Sequence, residues 1–320
     1  MFPPYLEQAH SLCLLNHDIL VELLRSGEKN KIFHQEIKFS SEEDKIKLEQ
    51  SDDIFEWFEV TERKLEHVEI LRRSVLQALL SDYLHFIYEA LACSRKEKLT
   101  VTYALLRKPI QENLLLLEVM ASDINDFSNK LTEKPLALRA KNYGGIEGHT
   151  KRIQSVLEIL EEEERFDAAY LAQLRYQKIE DGFDGICNKS MHLFTEHPKI
   201  KTEKMNINQI FSGAGAESKQ TQWYFLYSRL PYILFYARIL IEHICGTFSK
   251  TDPSYLNNIE YRVMASTILW YQNVDSFYKN KTLDKFVDST TNKLEKAFLD
   301  VGKASPNNQD ILRVSESGEI

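Results

Sequence analysis

Asn188 and His192 stand four apart in NKSMH, a spacing that puts both on one face if the segment is helical. His197, Lys199, Lys201 and Lys204 follow directly. A histidine titrating near neutrality beside cations suits RNA cleavage, in which a 2′-hydroxyl loses its proton and the developing phosphorane charge is stabilised. The competing reading makes His192 a polar helix end with solvated lysines beyond it. A second polar group sits in VTYALLRKPIQENLLLLEVMA, residues 101–121, where Arg107 and Glu112 flank Pro109 in a nearly all-apolar stretch. Five residues separate them by about 140° on an ideal helix. Pro109 cannot donate to the Leu105 carbonyl and kinks the helix, which in one reading opens a small polar pocket and in the other leaves Arg107 and Glu112 in structural ion pairs.

Helices must position these groups. The 101–121 stretch leaves almost no solvated face, so it belongs inside, with the other helices around it. A first helix is expected from after Pro3 and Pro4 to Ser26, with Gly27 as its stop, then a polar connector to residue 50. Ser51, Asp52 and Asp53 supply N-cap chemistry for one long helix to about Ala92, whose apolar stripe runs through Leu65, Val68, Leu71, Val75, Leu79, Tyr83, Phe86 and Ala90. Ile153, Val156, Leu157 and Leu160 mark another amphipathic helix, with Glu161 to Glu164 as a solvated acidic end. Residues 167–191 continue helically, with interruption expected at Gly182 and Gly185. Residues 223–248 form the most aromatic helix, and two more are expected at 253–278 and 282–301. Arg229 and Pro231 repeat the spacing of Arg107 and Pro109, a faint hint of duplication. The organisation expected is an N-terminal helix and connector at 1–50, a helical core at 51–301 and a flexible tail at 302–320. The fold class is all-α, a large helical bundle.

Several functions are excluded. The chain has 43 % hydrophobic residues with only 11 Gly and 8 Pro, so it buries a sizeable core and lacks the turns of a many-stranded β fold. A net charge of -8 argues against a non-specific nucleic-acid binder driven by bulk charge. Cys13, Cys93, Cys187 and Cys245 form no CxxC pair and read as buried thiols in a reducing compartment. MFPPYLEQAH has no signal-peptide pattern, which predicts a cytoplasmic location. Arg229, Arg238, Glu242 and His243 break the aromatic helix well short of the ~20 apolar residues of a membrane span. GxSxG is absent, and GAG at 213–215 lacks the frame of a phosphate loop. Glu7 with His10, and Asp82 with His85, imitate the Glu-x-x-His spacing of di-iron bundles but fall short of a ligand set, so neither metal nor cofactor is expected.

RKPIQENLLLLE, NKSMHLFT and a late aromatic helix together resemble bacterial proteins related to the HEPN superfamily. The resemblance covers roughly residues 60–250 and implies an all-helical, commonly dimeric protein, often a ribonuclease in toxin-antitoxin or antiphage systems. The superfamily signature is Arg-x4-6-His, and Arg238 and His243 in RILIEH satisfy it, with Ile239 where a polar residue is usual. The resemblance implies that His243 or His192 moves the proton and an arginine holds the phosphate. Arg107, Glu112, Asn188, Lys199 and Lys201 remain as substrate-binding or structural polar groups. The expected partner is RNA. The alternative is a non-catalytic interaction or sensor module that binds a protein partner.

Overall fold

The computed structural model describes residues 2–194 and 216–320, and among them every regular element is helical. The helices are α1 (Glu7–Lys29), α2 (Glu42–Gln50), α3 (Ile54–Val60), α4 (Lys64–Arg95), α5 (Leu99–Lys108), α6 (Leu114–Ser122) and α7 (Ile124–Glu133). They continue with α8 (Gly145–Leu160), α9 (Ala168–Tyr176), α10 (Phe183–Met191), α11 (Ala216–Gly246), α12 (Pro253–Gln272), α13 (Lys281–Asp300) and α14 (Asn308–Ser317).

Two helical segments form the centre. One is α5 and α6, joined by a π turn at Pro109–Asn113. The Leu114 N–H reaches back five residues to the Pro109 carbonyl, so the proline's missing donor is absorbed by one widened turn instead of a sharp kink. The other is α11, in which every residue from Leu226 to Arg238 is buried and Pro231 sits inside an uninterrupted helix. The two prolines therefore have different outcomes. Around this centre α1 packs on α4, α11 and α12, so the N-terminal helix is part of the main core.

Other boundaries depart from expectation for identifiable reasons. Helix α1 runs through Gly27 to Lys29; the glycine serves close packing, since a Cβ there would lie 2.5 Å from the Phe33 ring. The long helix expected from Asp53 is broken at Thr61 to Arg63, where Glu62 takes a φ of 58°. Asp53 does cap α3, accepting from the N–H groups of Phe55 and Glu56. Residues 177–182 separate α9 from α10. The tail also differs: Asn307 and Asp310 form a capping box, and α14 buries Ile311 and Val314 against α12. No helix among the described residues is long and apolar enough to cross a membrane.

Candidate functional site

The residues singled out in the sequence fall in three places. Arg238 is 1 % exposed, donates to Glu242 Oε2 at 2.6 Å and to Glu260, and lies 4.9 Å from the Phe235 ring. Glu260 also accepts from Arg165, which grips Glu162, and Glu162 in turn meets Lys293 at 2.9 Å. Glu162 belongs to the acidic run expected to be solvated, yet it is buried in this network. His243 is half-buried, and burial together with nearby Arg72 holds its pKa below the ordinary value.

The second place is the contact of α5 with α10. Arg107 is half-buried, and its buried Nε has no hydrogen-bond partner among the described residues. It approaches Cys187, whose thiol burial holds well above its usual range while Arg107 pulls the other way. Glu112 is exposed on the π turn. Asn188 is half-buried on α10, whereas exposed His192 caps that helix in extended backbone, φ -128° and ψ 131°. The shared helix face expected for Asn188 and His192 therefore does not form, because α10 ends at Met191. His197, Lys199, Lys201 and Lys204 lie outside the described residues. Of the residues spaced for metal binding, Glu7 pairs with Arg95, His10 Nδ1 meets the Tyr227 hydroxyl, and Asp82 holds Lys108 and Asn113.

The third place is the interior itself, and there the important acid is Glu118. It is 0 % exposed and binds Arg175, Arg152 through its Nε at 2.9 Å, and the Tyr236 hydroxyl at 2.9 Å. Burial alone would raise the Glu118 carboxyl, but Arg175 and Arg152 outweigh it and hold it below the usual carboxylate range. The π turn is tied to the same cluster. Its Ile110 carbonyl accepts from Arg175 Nε at 2.6 Å, its Gln111 carbonyl accepts from the Tyr176 hydroxyl at 2.8 Å, and the Gln111 amide donates to Asp184 at 3.0 Å. His149 stacks on Tyr176 with ring centroids 3.6 Å apart. A lone acid inside LLLLEVM was the available signal for Glu118, since a buried carboxylate requires cations. Arg152 and Arg175 gave none, because their partners lie in distant helices.

Beside α10 opens a groove of about 800 Å³ between its outer face, the first turns of α11 and residues 276–278. Ile186 and Phe225 line it with Phe277, which is 81 % exposed. Arg229 anchors one wall, donating to Asp181 at 2.6 Å and to the Tyr278 carbonyl at 2.6 Å. Lys178, Lys189 and Glu180 add charges of both signs. The lining is chemically mixed: aromatic surface for contact area and alternating charges for orientation.

Comparison with known proteins adds nothing to this geometry: no family model, curated protein or solved structure matches the chain.

Two outcomes follow from the interior cluster. Glu118→Ala leaves two buried guanidiniums facing each other and is expected to cost about 3–5 kcal/mol in chemical denaturation. Because the folded carboxyl is depressed, the Glu118 contribution is complete above the usual range near about pH 4.3 and is lost as the pH falls below it. His149 behaves differently: burial, then Arg152 and Arg175, push it down from 6.5 to about 4. The unfolded chain then takes up a proton that folded His149 refuses, so stability falls as the pH drops from 6.5 to about 4. Melting curves across that interval are expected to flatten in His149→Gln, and an unchanged slope removes His149 as their cause.

Proposed function

We propose that this chain is a non-catalytic helical binding module that seats a segment of a protein partner in the groove beside α10. The carrying observation is the groove's composition, with exposed Phe277 and half-buried Phe225 set between Lys178 and Lys189 on one hand and Glu180 on the other, while Arg229 and Asp181 pair with each other in its wall. A polyanion would meet Glu180 at close range, while a polypeptide carrying both signs matches the lysines and Glu180 in turn. Enclosure of Arg238 by Glu242 and Glu260 favours a structural role for that arginine, since its charge is already neutralised away from water. The experiment is affinity capture with the wild type and with Phe277→Ala. A hot-spot aromatic contributes about 2 kcal/mol, so capture is expected to fall by at least about tenfold in the variant, and by much less in Leu299→Ala on the exposed face of α13. Equal capture by both variants rejects the groove as the contact surface.

A second reading retains the HEPN resemblance and has the chain bind or cleave RNA in a bacterial defence or toxin setting. It is favoured by the packing of α5 on α10, with Arg107 beside Cys187 and the helix leading to His192. There His192 would take the 2′-hydroxyl proton and Arg107 would hold the phosphate. Incubation of the pure protein with total RNA separates the readings: products lost in His192→Ala support cleavage, and intact RNA in the wild type removes it.

A further inference from the structure

Apart from the groove, a cavity of about 370 Å³ opens between the C-terminal half of α1, the turn that follows it, the end of α11 and the start of α12. Ile19, Leu23, Ile32, Phe33, Leu256 and Ile259 give it apolar walls. The turn is held from two sides: the Ile32 N–H donates to the Gly27 carbonyl at 2.8 Å, and the Ile32 carbonyl accepts from Arg73 on α4. The missing Cβ of Gly27 leaves the Phe33 ring its place beside α1. These walls are therefore set before any ligand arrives. Tyr255 and Leu256, 49 % and 37 % exposed, stand on the open side.

One charged side chain reaches this cavity from the interior. Glu242 is 18 % exposed and accepts from Arg238 on Oε2 at 2.6 Å, whereas its Oε1 takes no hydrogen bond from the described residues and keeps contact with solvent. Burial outweighs Arg238 and holds the Glu242 carboxyl above the usual carboxylate range, while Glu260, gripped by both Arg238 and Arg165, is held down at about 2. Oε1 is thus an acceptor short of donors. Its charge is another matter, because Arg238 already meets it in a cluster where Arg165, Arg238 and Lys293 face Glu162, Glu242 and Glu260. Two further charged residues line the cavity, Glu22 and Lys250, but both are exposed and Glu22 pairs with Arg25 at 3.1 Å. Cys245 beside them stays an uncharged thiol, pushed by burial up to about 12.

We propose that this cavity binds a small uncharged molecule with an apolar body and one N–H or O–H group, the body lying against α1 and Phe33 and the donor on Glu242 Oε1. The volume falls in the range of small-molecule sites, which combine apolar walls with a few placed polar groups. A hydrogen bond to a carboxylate is stronger than one between neutral groups, so the single donor fixes both orientation and selectivity. An ammonium would bring a cation to a carboxylate that Arg238 has already matched, and a carboxylate ligand would be repelled by Glu242.

The test is calorimetric titration of the full chain at about pH 7 with indole, with benzofuran, which has the same shape but an oxygen in place of the N–H, and with tryptamine, whose amine is protonated there. Indole is expected to bind at least about tenfold more tightly than either of the others. Glu242→Gln sets an amide donor toward the ligand when its oxygen stays on Arg238, and Leu256→Trp fills the open side. Each is expected to weaken indole binding by at least about tenfold, and Leu256→Trp, at an exposed position, covers the case in which Glu242→Gln does not fold. Phe277→Ala, in the groove beside α10, is expected to keep the wild-type affinity. No binding of indole, equal binding of benzofuran, tryptamine binding as tightly as indole, wild-type affinity in Leu256→Trp, or loss in Phe277→Ala each overturn the proposal.

Discussion

The arrangement depends on one carboxylate that water does not reach. Glu118 sits where α6, α8, α9 and α11 meet, and its two oxygens take donors from Arg152, Arg175 and Tyr236. An unpaired charge at that depth would be neutralised or would unfold its surroundings, so these helices are bound to one register. Apolar packing alone tolerates sliding and repacking; a carboxylate with three specific donors does not.

That constraint gives the π turn its place. Pro109 removes a backbone donor, and the widened turn leaves the Ile110 and Gln111 carbonyls facing α9, where Arg175 and Tyr176 bond them. Arg175 thus meets a side-chain acid and a backbone carbonyl at once, and the irregular turn and the buried charge support each other. On the other side of α11 a second ionic cluster links Arg165 and Arg238 to Glu260. Positioned by both, α11 carries Phe225 and Arg229 to the groove beside α10.

In that second cluster Arg165, Arg238 and Lys293 meet Glu162, Glu242 and Glu260. Where cations and carboxylates are equal in number, the charges satisfy one another and the cluster serves as a joint.

Much of this molecule is legible in its sequence. The all-α class, the buried aromatic helix, the cap at Asp53 and the irregularity at Pro109 all follow from local rules of periodicity, capping and proline geometry, which act over a few residues. The helix in the tail and the burial of Glu162 were not legible, because α14 packs on α12 and Glu162 meets Lys293 from far along the chain. The same holds for the ion pairs: Glu118 meets partners 34, 57 and 118 residues away. RKPIQENLLLLE draws attention to Glu112, which is exposed, when the acid that matters lies six residues further on among leucines. Sequence fixes which residues carry charge and which must be buried, since those are properties of single side chains and their near neighbours. Only the tertiary structure decides which opposite charges meet and which are left over, because pairing depends on distances between helices that no local pattern encodes.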